Sequence, residues 1–350
     1  MGKPINIADC RIGFGHPCFI IAEAGVNHNG NLEMAHRLVD VAVHAEADAV
    51  KFQTFKAQEV ISVQAPKAAY QLQTTDGAES QLEMAQRLEL PYHAFRELHE
   101  SCLQKGISFL STPFDVESTD FLDEMGVEAF KVPSGEITNL PFLDHIARKH
   151  KLVILSTGMS SLEEVESAIR VIDRAGNRDV ILLHCTSSYP ADPAESNLRA
   201  METMRNAFGL PIGYSDHTPG IEVSLAAVAL GACVIEKHVT LDHSLPGPDH
   251  RASIDPSELQ ALVRGVRCVE SSLGDGIKRP ARGELDTMAV ARRSLVAKRS
   301  LQSGTVLNIG DIAIKRPGTG IAPSELQCVM GRTLVRSLER DQLLKWEDLE

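Results

Sequence analysis

"CVIEKHVT", residues 233–240, decides how the chain is read. Its first half is apolar and of strand length, and its second half turns abruptly polar. A strand that is apolar throughout is buried on both faces, as in a parallel sheet covered by helices. Seven similar runs precede it: "CFIIAEAG" (18–25), "DAVKFQT" (48–54), "ISFLSTP" (107–113), "AFKVPSGE" (129–136), "LVILSTGM" (152–159), "VILLHCTS" (180–187) and "PIGYSDHT" (211–218). Amphipathic helical patterns such as "LEMAHRLVDVAVHA" and "LEEVESAIRVIDRA" fall between them. Eight such units within about 250 residues predict an α/β chain closed into a (β/α)8 TIM barrel rather than an open sheet. The spacing breaks once, at residues 55–92, where "AAYQLQTTDGAESQLEMAQRLEL" reads as an insertion forming a lid or wall over the barrel mouth.

The ends of the runs carry the chemistry. Glu23, Lys51 with Gln53, Ser111 with Thr112, and Lys131 with Ser134 and Glu136 close the first four. Ser156 with Thr157, His184 with Thr186, Ser215 with Asp216 and His217, and Glu236 with His238 close the others. In a barrel these positions ring the C-terminal face, where active sites are built.

Composition narrows the ligand. The 350 residues are 43% hydrophobic and 23% charged, an ordinary globular balance, and the formal charge is −12. An acidic chain has no basic face for nucleic acid, and an anionic ligand must be met by local cations against the overall field. Lys51 and Lys131 therefore stand out. The start of the chain does not read as a signal peptide, and "LAAVALGACVI" is too short to span a bilayer, so no membrane partner is expected. Seven cysteines without a CxxC pair read as reduced thiols of a cytoplasmic protein.

After "CVESSLGDG" the texture changes. Residues 1–275 are expected to form the barrel, 276–289 a basic linker, and 290–350 a small mostly β module with the runs "SLVAK" and "TLVRS".

His217 in "GYSDHTPG" and His238 end neighbouring strands. Two imidazoles with open positions beside them suit Mn²⁺, Mg²⁺ or Zn²⁺ as a Lewis acid on a carbonyl, and equally suit two hydrogen-bonded polar histidines. His243, His250 and Asp242 lie in the following loop and are expected to be solvated. "GPDH" (247–250) is a tight turn presenting Asp249. Lys51 and Lys131 fit either a Schiff-base nucleophile or point charges for phosphate or carboxylate. "STP", "PSGE" and "LSTGM" add hydroxyls and backbone N–H groups beside helix starts, which suit a phosphate. There is no GxxxxGK[ST] loop, no GxGxxG fingerprint after a strand and no GxSxG elbow, and Cys185 reads as a strand residue.

Taken in order, "IAEAGVNHNG", "VKFQTF", "STPFD", "FKVPSGE", "ILSTGM", "LLHCTSSYP", "GYSDHT", "IEKHVT" and "GPDHRAS" resemble the sialic acid synthase family, and "ARRSLVAK…KRPGTGI" is similar to its antifreeze-like (SAF, β-clip) module. The resemblance spans essentially the whole chain. It implies a barrel followed by a SAF domain, and a domain-swapped homodimer that condenses phosphoenolpyruvate with an N-acylated mannosamine-type sugar. It implies His217 and His238 as ligands of a divalent metal, Mn²⁺ or Mg²⁺. Lys51, Thr112, Lys131, Ser134, Ser156 and Ser215 match positions that hold phosphoenolpyruvate. Gln53 and Tyr189 match groups at the sugar, Glu23, Glu136 and Asp249 match catalytic carboxylates, and Arg316 matches the SAF arginine that reaches the neighbouring subunit's N-acyl group. Ser187 stands where some members have asparagine, a departure that bears on sugar choice.

The expected reaction is condensation with N-acetylmannosamine to give N-acetylneuraminate. The alternative sugar is 2,4-diacetamido-2,4,6-trideoxymannose, giving N,N'-diacetyllegionaminate. Readings of other kinds are a lysine Schiff-base aldolase and a non-catalytic carbohydrate-binding protein.

Overall fold

The computed structural model describes residues 5–350, in two compact units that divide after Gly274. The first holds a two-stranded hairpin, β1 (Ile5–Ile7) and β2 (Cys10–Ile12), and eight strands: β3 (Phe19–Gly25), β4 (Ala49–Thr54), β5 (Ser108–Pro113), β6 (Ala129–Val132), β7 (Leu152–Ser156), β8 (Val180–Cys185), β9 (Ile212–Asp216) and β10 (Val234–His238). The eight are parallel and close into a barrel in chain order, β10 pairing with β3 in the register Val234↔Phe19 to His238↔Glu23.

Two cores follow from the alternation of side chains across a strand. Phe19, Ile21, Leu110, Ile154, Leu183 and Val234 fill the barrel interior. Their chain neighbours Ile20, Ala22, Leu155, Leu182 and Ile235 face outward and join the apolar stripes of the surrounding helices. Helix Leu162–Arg174 is typical of that ring: Ser161 and Glu164 form a capping box, and Val165, Ala168 and Ile172 recur on one buried face. The interior is tightly filled. A Cβ on Gly213 of β9 would lie 2.6 Å from Leu183 Cδ2 and 2.6 Å from the Val234 carbonyl oxygen.

The hairpin was not legible, because three-residue strands give too short a period. Its Ile7 and Ile12 are buried in the interior core with residues that open the strands, such as Phe19, Ala129 and Leu152, and so plug the N-terminal end of the barrel. At the other end the insertion after β4 folds into helices Ala57–Val60, Ala69–Thr74 and Gln81–Leu88. Met84 and Leu88 pack on Val26 and Phe55, which anchors this segment beside β3.

The second unit, Asp275–Glu350, has its own core, including Leu295, Leu301, Leu334 and Leu344. Its strands β11 (Ser294–Ala297) and β12 (Ile312–Lys315) pair antiparallel. The run "TLVRS" forms isolated bridges, Val306↔Thr333 and Leu334↔Leu349, rather than a strand. The stretch 276–289, read as a linker, contains most of a short helix, Leu285–Ala291. No helix among the described residues is long and apolar enough to cross a membrane.

Candidate active site

The parallel register places charged side chains from β3, β4, β6 and β10 together on the floor of the barrel mouth. Lys51 on β4 lies opposite Glu23 on β3 in the pairing of those strands. Its Nζ is 2.6 Å from Glu23 Oε2, donates to Thr112 Oγ1 at 2.9 Å and stands 3.7 Å from Glu236 Oε2. Lys131 Nζ, on β6, is 3.4 Å from Glu236 Oε1, and the Ser215 hydroxyl donates to that same oxygen at 3.1 Å. All of these side chains are buried.

Burial and pairing act against each other here. Burial raises the Glu23 carboxyl to about 7, with Lys51 opposing the shift and Glu236 adding to it. Burial likewise resists ionisation of Glu236, but Lys131, Lys51 and the Ser215 hydroxyl outweigh it and hold that carboxyl below its ordinary value. Desolvation opposes the charge on Lys51, yet Glu23 and Glu236 carry its ammonium above the usual range. Desolvation prevails at Lys131 and lowers it. Burial thus works toward a neutral Glu23, while the lysines work toward an ionised Glu236. Two lysines converge on the cavity floor in a chain of net charge −12.

The two imidazoles stand beside this floor with ring centroids 5.4 Å apart. His217 Nδ1 donates to the Thr186 carbonyl at 2.7 Å, which fixes the tautomer and leaves Nε2 with a free lone pair. His238 Nδ1 is buried without a hydrogen-bond partner among the described residues, its nearest carboxylate oxygen there being Asp249 Oδ2 at 4.0 Å. Burial lowers both histidines, His238 well below its ordinary value, so both rings are neutral donors near pH 7. An orphaned buried nitrogen and two neutral imidazoles fit a divalent metal. Above them Tyr189 lies 4.2 Å from the His217 ring, and Tyr70, delivered by the insertion, stacks on Tyr189 at 5.2 Å. Burial raises Asp249 to about 6.

These groups line one cavity of about 500 Å³. Glu23, Lys51, Gln53, Thr112, Lys131, Ser134, Ser156, Tyr189, Ser215, His217, His238 and Asp249 all contribute to it. Ser156 Oγ is buried without a partner, and Ser134 Oγ accepts from the Gly158 N–H at 3.0 Å. Glu136 is not among the lining residues. β6 stops at Val132, Pro133 opens a 3₁₀ turn, and the Glu136 carboxylate accepts from Asn139 Nδ2 at 2.7 Å instead. Arg316 directly follows β12 in the second unit.

The loop after β10 differs from expectation at one histidine. His250 is buried and bonds Thr240 Oγ1 at 2.7 Å, because the loop folds back on the strand end. His243 is exposed, near Asp255 and Glu258. Tyr70, a lining residue, escaped the sequence reading, and Glu236 was read there only as a polar group at a strand end. Glu236 shares the inward face with His238 by the period of two, a signal that was present. Tyr70 sits on a short helix in the insertion, where no period points inward.

Barrel, charged floor and paired imidazoles come together at the C-terminal mouth of a (β/α)8 barrel, where active sites of this fold are built. Residues 38–278 match the NeuB family and residues 292–350 the SAF domain. The N,N'-diacetyllegionaminic acid synthase of Campylobacter jejuni is 49% identical over 93% of this chain and 98% of its own. The N,N'-diacetyllegionaminic acid synthase of Legionella pneumophila is 48% identical over 97% and 96%. The crystal structure of the N-acetylneuraminic acid (sialic acid) synthetase of Leptospira borgpetersenii, in complex with citrate, superposes with a TM-score of 0.74 at 38% identity, covering 82% of this chain and 96% of that one. The chain belongs to the NeuB family and is an enzyme.

Proposed function

We propose that the enzyme condenses phosphoenolpyruvate with 2,4-diacetamido-2,4,6-trideoxymannose, giving N,N'-diacetyllegionaminate and phosphate. The observation that carries the reading is the pair of buried lysines, Lys51 and Lys131, sharing Glu236 on the floor of a cavity that also holds His217 and His238. The sugar differs from the one first expected. The relatives at 49% and 48% identity are legionaminic acid synthases, whereas the sialic acid synthetase stands at 38%, so the alternative sugar is the better supported.

The cavity wall supports the same choice. The insertion carries three cations, Lys56, Lys67 and Arg87, and none lines the cavity. Lys56 lies over the Tyr92 ring at 4.2 Å, and Lys67 and Arg87 both pair with Glu79 at 3.1 Å. The wall they leave includes apolar Val26, Phe55, Met84 and Leu88 beside the uncharged Gln71 and Gln81. Such a surface suits a 6-methyl group and acetamido methyls, and offers nothing to a phosphorylated sugar.

In this reading the lysines, with Thr112, Ser134, Ser156 and Ser215, hold the phosphate and carboxylate of phosphoenolpyruvate. Gln53, Tyr189 and Asp249 orient the sugar. Mn²⁺ or Mg²⁺ held by His217 and His238 would supply Lewis-acid polarisation of the sugar aldehyde when bound. The π electrons between C3 and C2 of phosphoenolpyruvate form the new bond to the aldehyde carbon, and its oxygen takes a proton to become a hydroxyl. Water adds at the electron-poor C2 and loses a proton. The resulting C2 carries hydroxyl and phosphate; its hydroxyl gives up a proton as the C–O(P) bond breaks, releasing inorganic phosphate and leaving the keto acid. Glu23, raised toward neutrality beside Lys51, and Asp249, also raised, are the carboxyls able to give and take these protons. Glu136, outside the lining, is not assigned one. The same proposal takes the enzyme to be cytoplasmic and a homodimer in which Arg316 reads the sugar's acyl group.

Phosphate release from phosphoenolpyruvate tests the reaction, and it is expected only when the sugar is present. Borohydride added during turnover is expected to leave the protein mass unchanged. A trapped adduct on Lys51 or Lys131 would replace this reading with the Schiff-base aldolase.

A further inference from the structure

Asp216 and Lys237 are fully buried, their side chains 0% exposed, and the reaction described above uses neither. They are direct partners in the pairing of β9 with β10. Each precedes one of the imidazole residues, Asp216 before His217 and Lys237 before His238. Because side chains alternate, the histidines face the cavity while the ion pair faces the helix layer behind it.

The pair is saturated with hydrogen bonds. Lys237 Nζ donates to Asp216 Oδ2 at 2.8 Å and to the Thr218 carbonyl at 2.7 Å. The Asp216 carboxylate also accepts from the Thr218 N–H at 2.9 Å, the Thr218 hydroxyl at 2.8 Å and the Ser224 hydroxyl at 2.5 Å. These bonds join both strand ends, the turn that follows His217, and helix Glu222–Ala229.

A buried ion pair is a weak device for stability, since apolar residues of similar volume fill such a space as well. What it adds is directional: several charge-assisted bonds of fixed length and angle between two strand ends. We infer that Asp216 and Lys237 are positioning residues that hold His217 and His238 at the separation and orientation needed to bind a divalent metal. The inference rests on the metal reading proposed above.

Removing one partner alone leaves a buried uncompensated charge and threatens the fold. The test therefore uses the neutral double variant Asp216→Asn/Lys237→Met, with Ser224→Ala as a milder probe that deletes one bond to Asp216. Mn²⁺ binding to metal-stripped full-length protein is followed by the electron paramagnetic resonance signal of free Mn²⁺, beside the melting temperature without metal. The double variant is expected to bind Mn²⁺ roughly ten- to hundredfold more weakly than wild type, and Ser224→Ala a few-fold more weakly. A merely structural pair would lower the melting temperature and leave Mn²⁺ affinity unchanged, and that result overturns the inference. Wild-type protein that binds no Mn²⁺ would overturn the metal reading itself, and is told apart because it fails before any substitution.

Discussion

Exhaustive chelation lowers the rate of phosphate release by roughly 10³-fold, and added Mn²⁺ or Mg²⁺ restores it; this is the first expected result. The reason lies in the donor set. His217 is fixed by the Thr186 carbonyl in the tautomer that leaves Nε2 open, and His238 Nδ1 is buried with no partner among the described residues. A buried nitrogen without a partner is costly to the fold unless a ligand uses it. Burial depresses both imidazoles, so protons do not compete with a metal for these nitrogens near pH 7. His238→Ala is expected to reproduce the loss, with no recovery at any metal concentration. Full turnover in exhaustively chelated protein would show that the aldehyde is activated by protein groups alone.

The second large effect is at Lys131. Lys131→Met is expected to lower kcat/KM for phosphoenolpyruvate by roughly 10²- to 10³-fold, measured at saturating sugar on protein whose circular dichroism matches wild type. Two consequences of the substitution act together. The phosphate–carboxylate site loses one of its two cations, and Glu236 loses the partner that does most to keep it ionised despite burial. The Glu236 carboxyl therefore rises, and Lys51 is left to serve Glu23, Glu236 and the ligand. Because the second effect runs through Glu236, Lys131→Met/Glu236→Gln is expected to lose less than the sum of the single substitutions. A KM for phosphoenolpyruvate within threefold of wild type would place the anion elsewhere.

The barrel was legible because its strands are buried on both faces and therefore appear as continuous apolar runs, each ending where the chain leaves the sheet. That edge also made the rim legible, since Thr112, Lys131, Ser156, Ser215, His217 and His238 lie within one residue of a strand end, while Lys51 sits further back in its strand. Glu136 shows where a strand boundary was misjudged. It looked like the end of a longer strand, but Pro133 cannot continue the ladder and the following turn carries Glu136 to Asn139. His250 was misjudged for the opposite reason. A polar loop residue was expected in water, yet Thr240 and a close approach at Gly247 enclose it. Tyr70 was beyond reach, because the insertion's path is set by Met84 and Leu88 packing on Val26 and Phe55, contacts remote in sequence. Glu236 was within reach through its shared face with His238; what the sequence did not show is that two lysines converge on it.

The most direct test of the central claim is the ratio of kcat/KM for 2,4-diacetamido-2,4,6-trideoxymannose to that for N-acetylmannosamine, at saturating phosphoenolpyruvate with Mn²⁺. The apolar wall of Val26, Phe55, Met84 and Leu88 predicts a ratio of at least about tenfold in favour of the diacetamido sugar, the scale of one well-packed methyl group. Equal or greater turnover of N-acetylmannosamine would contradict it.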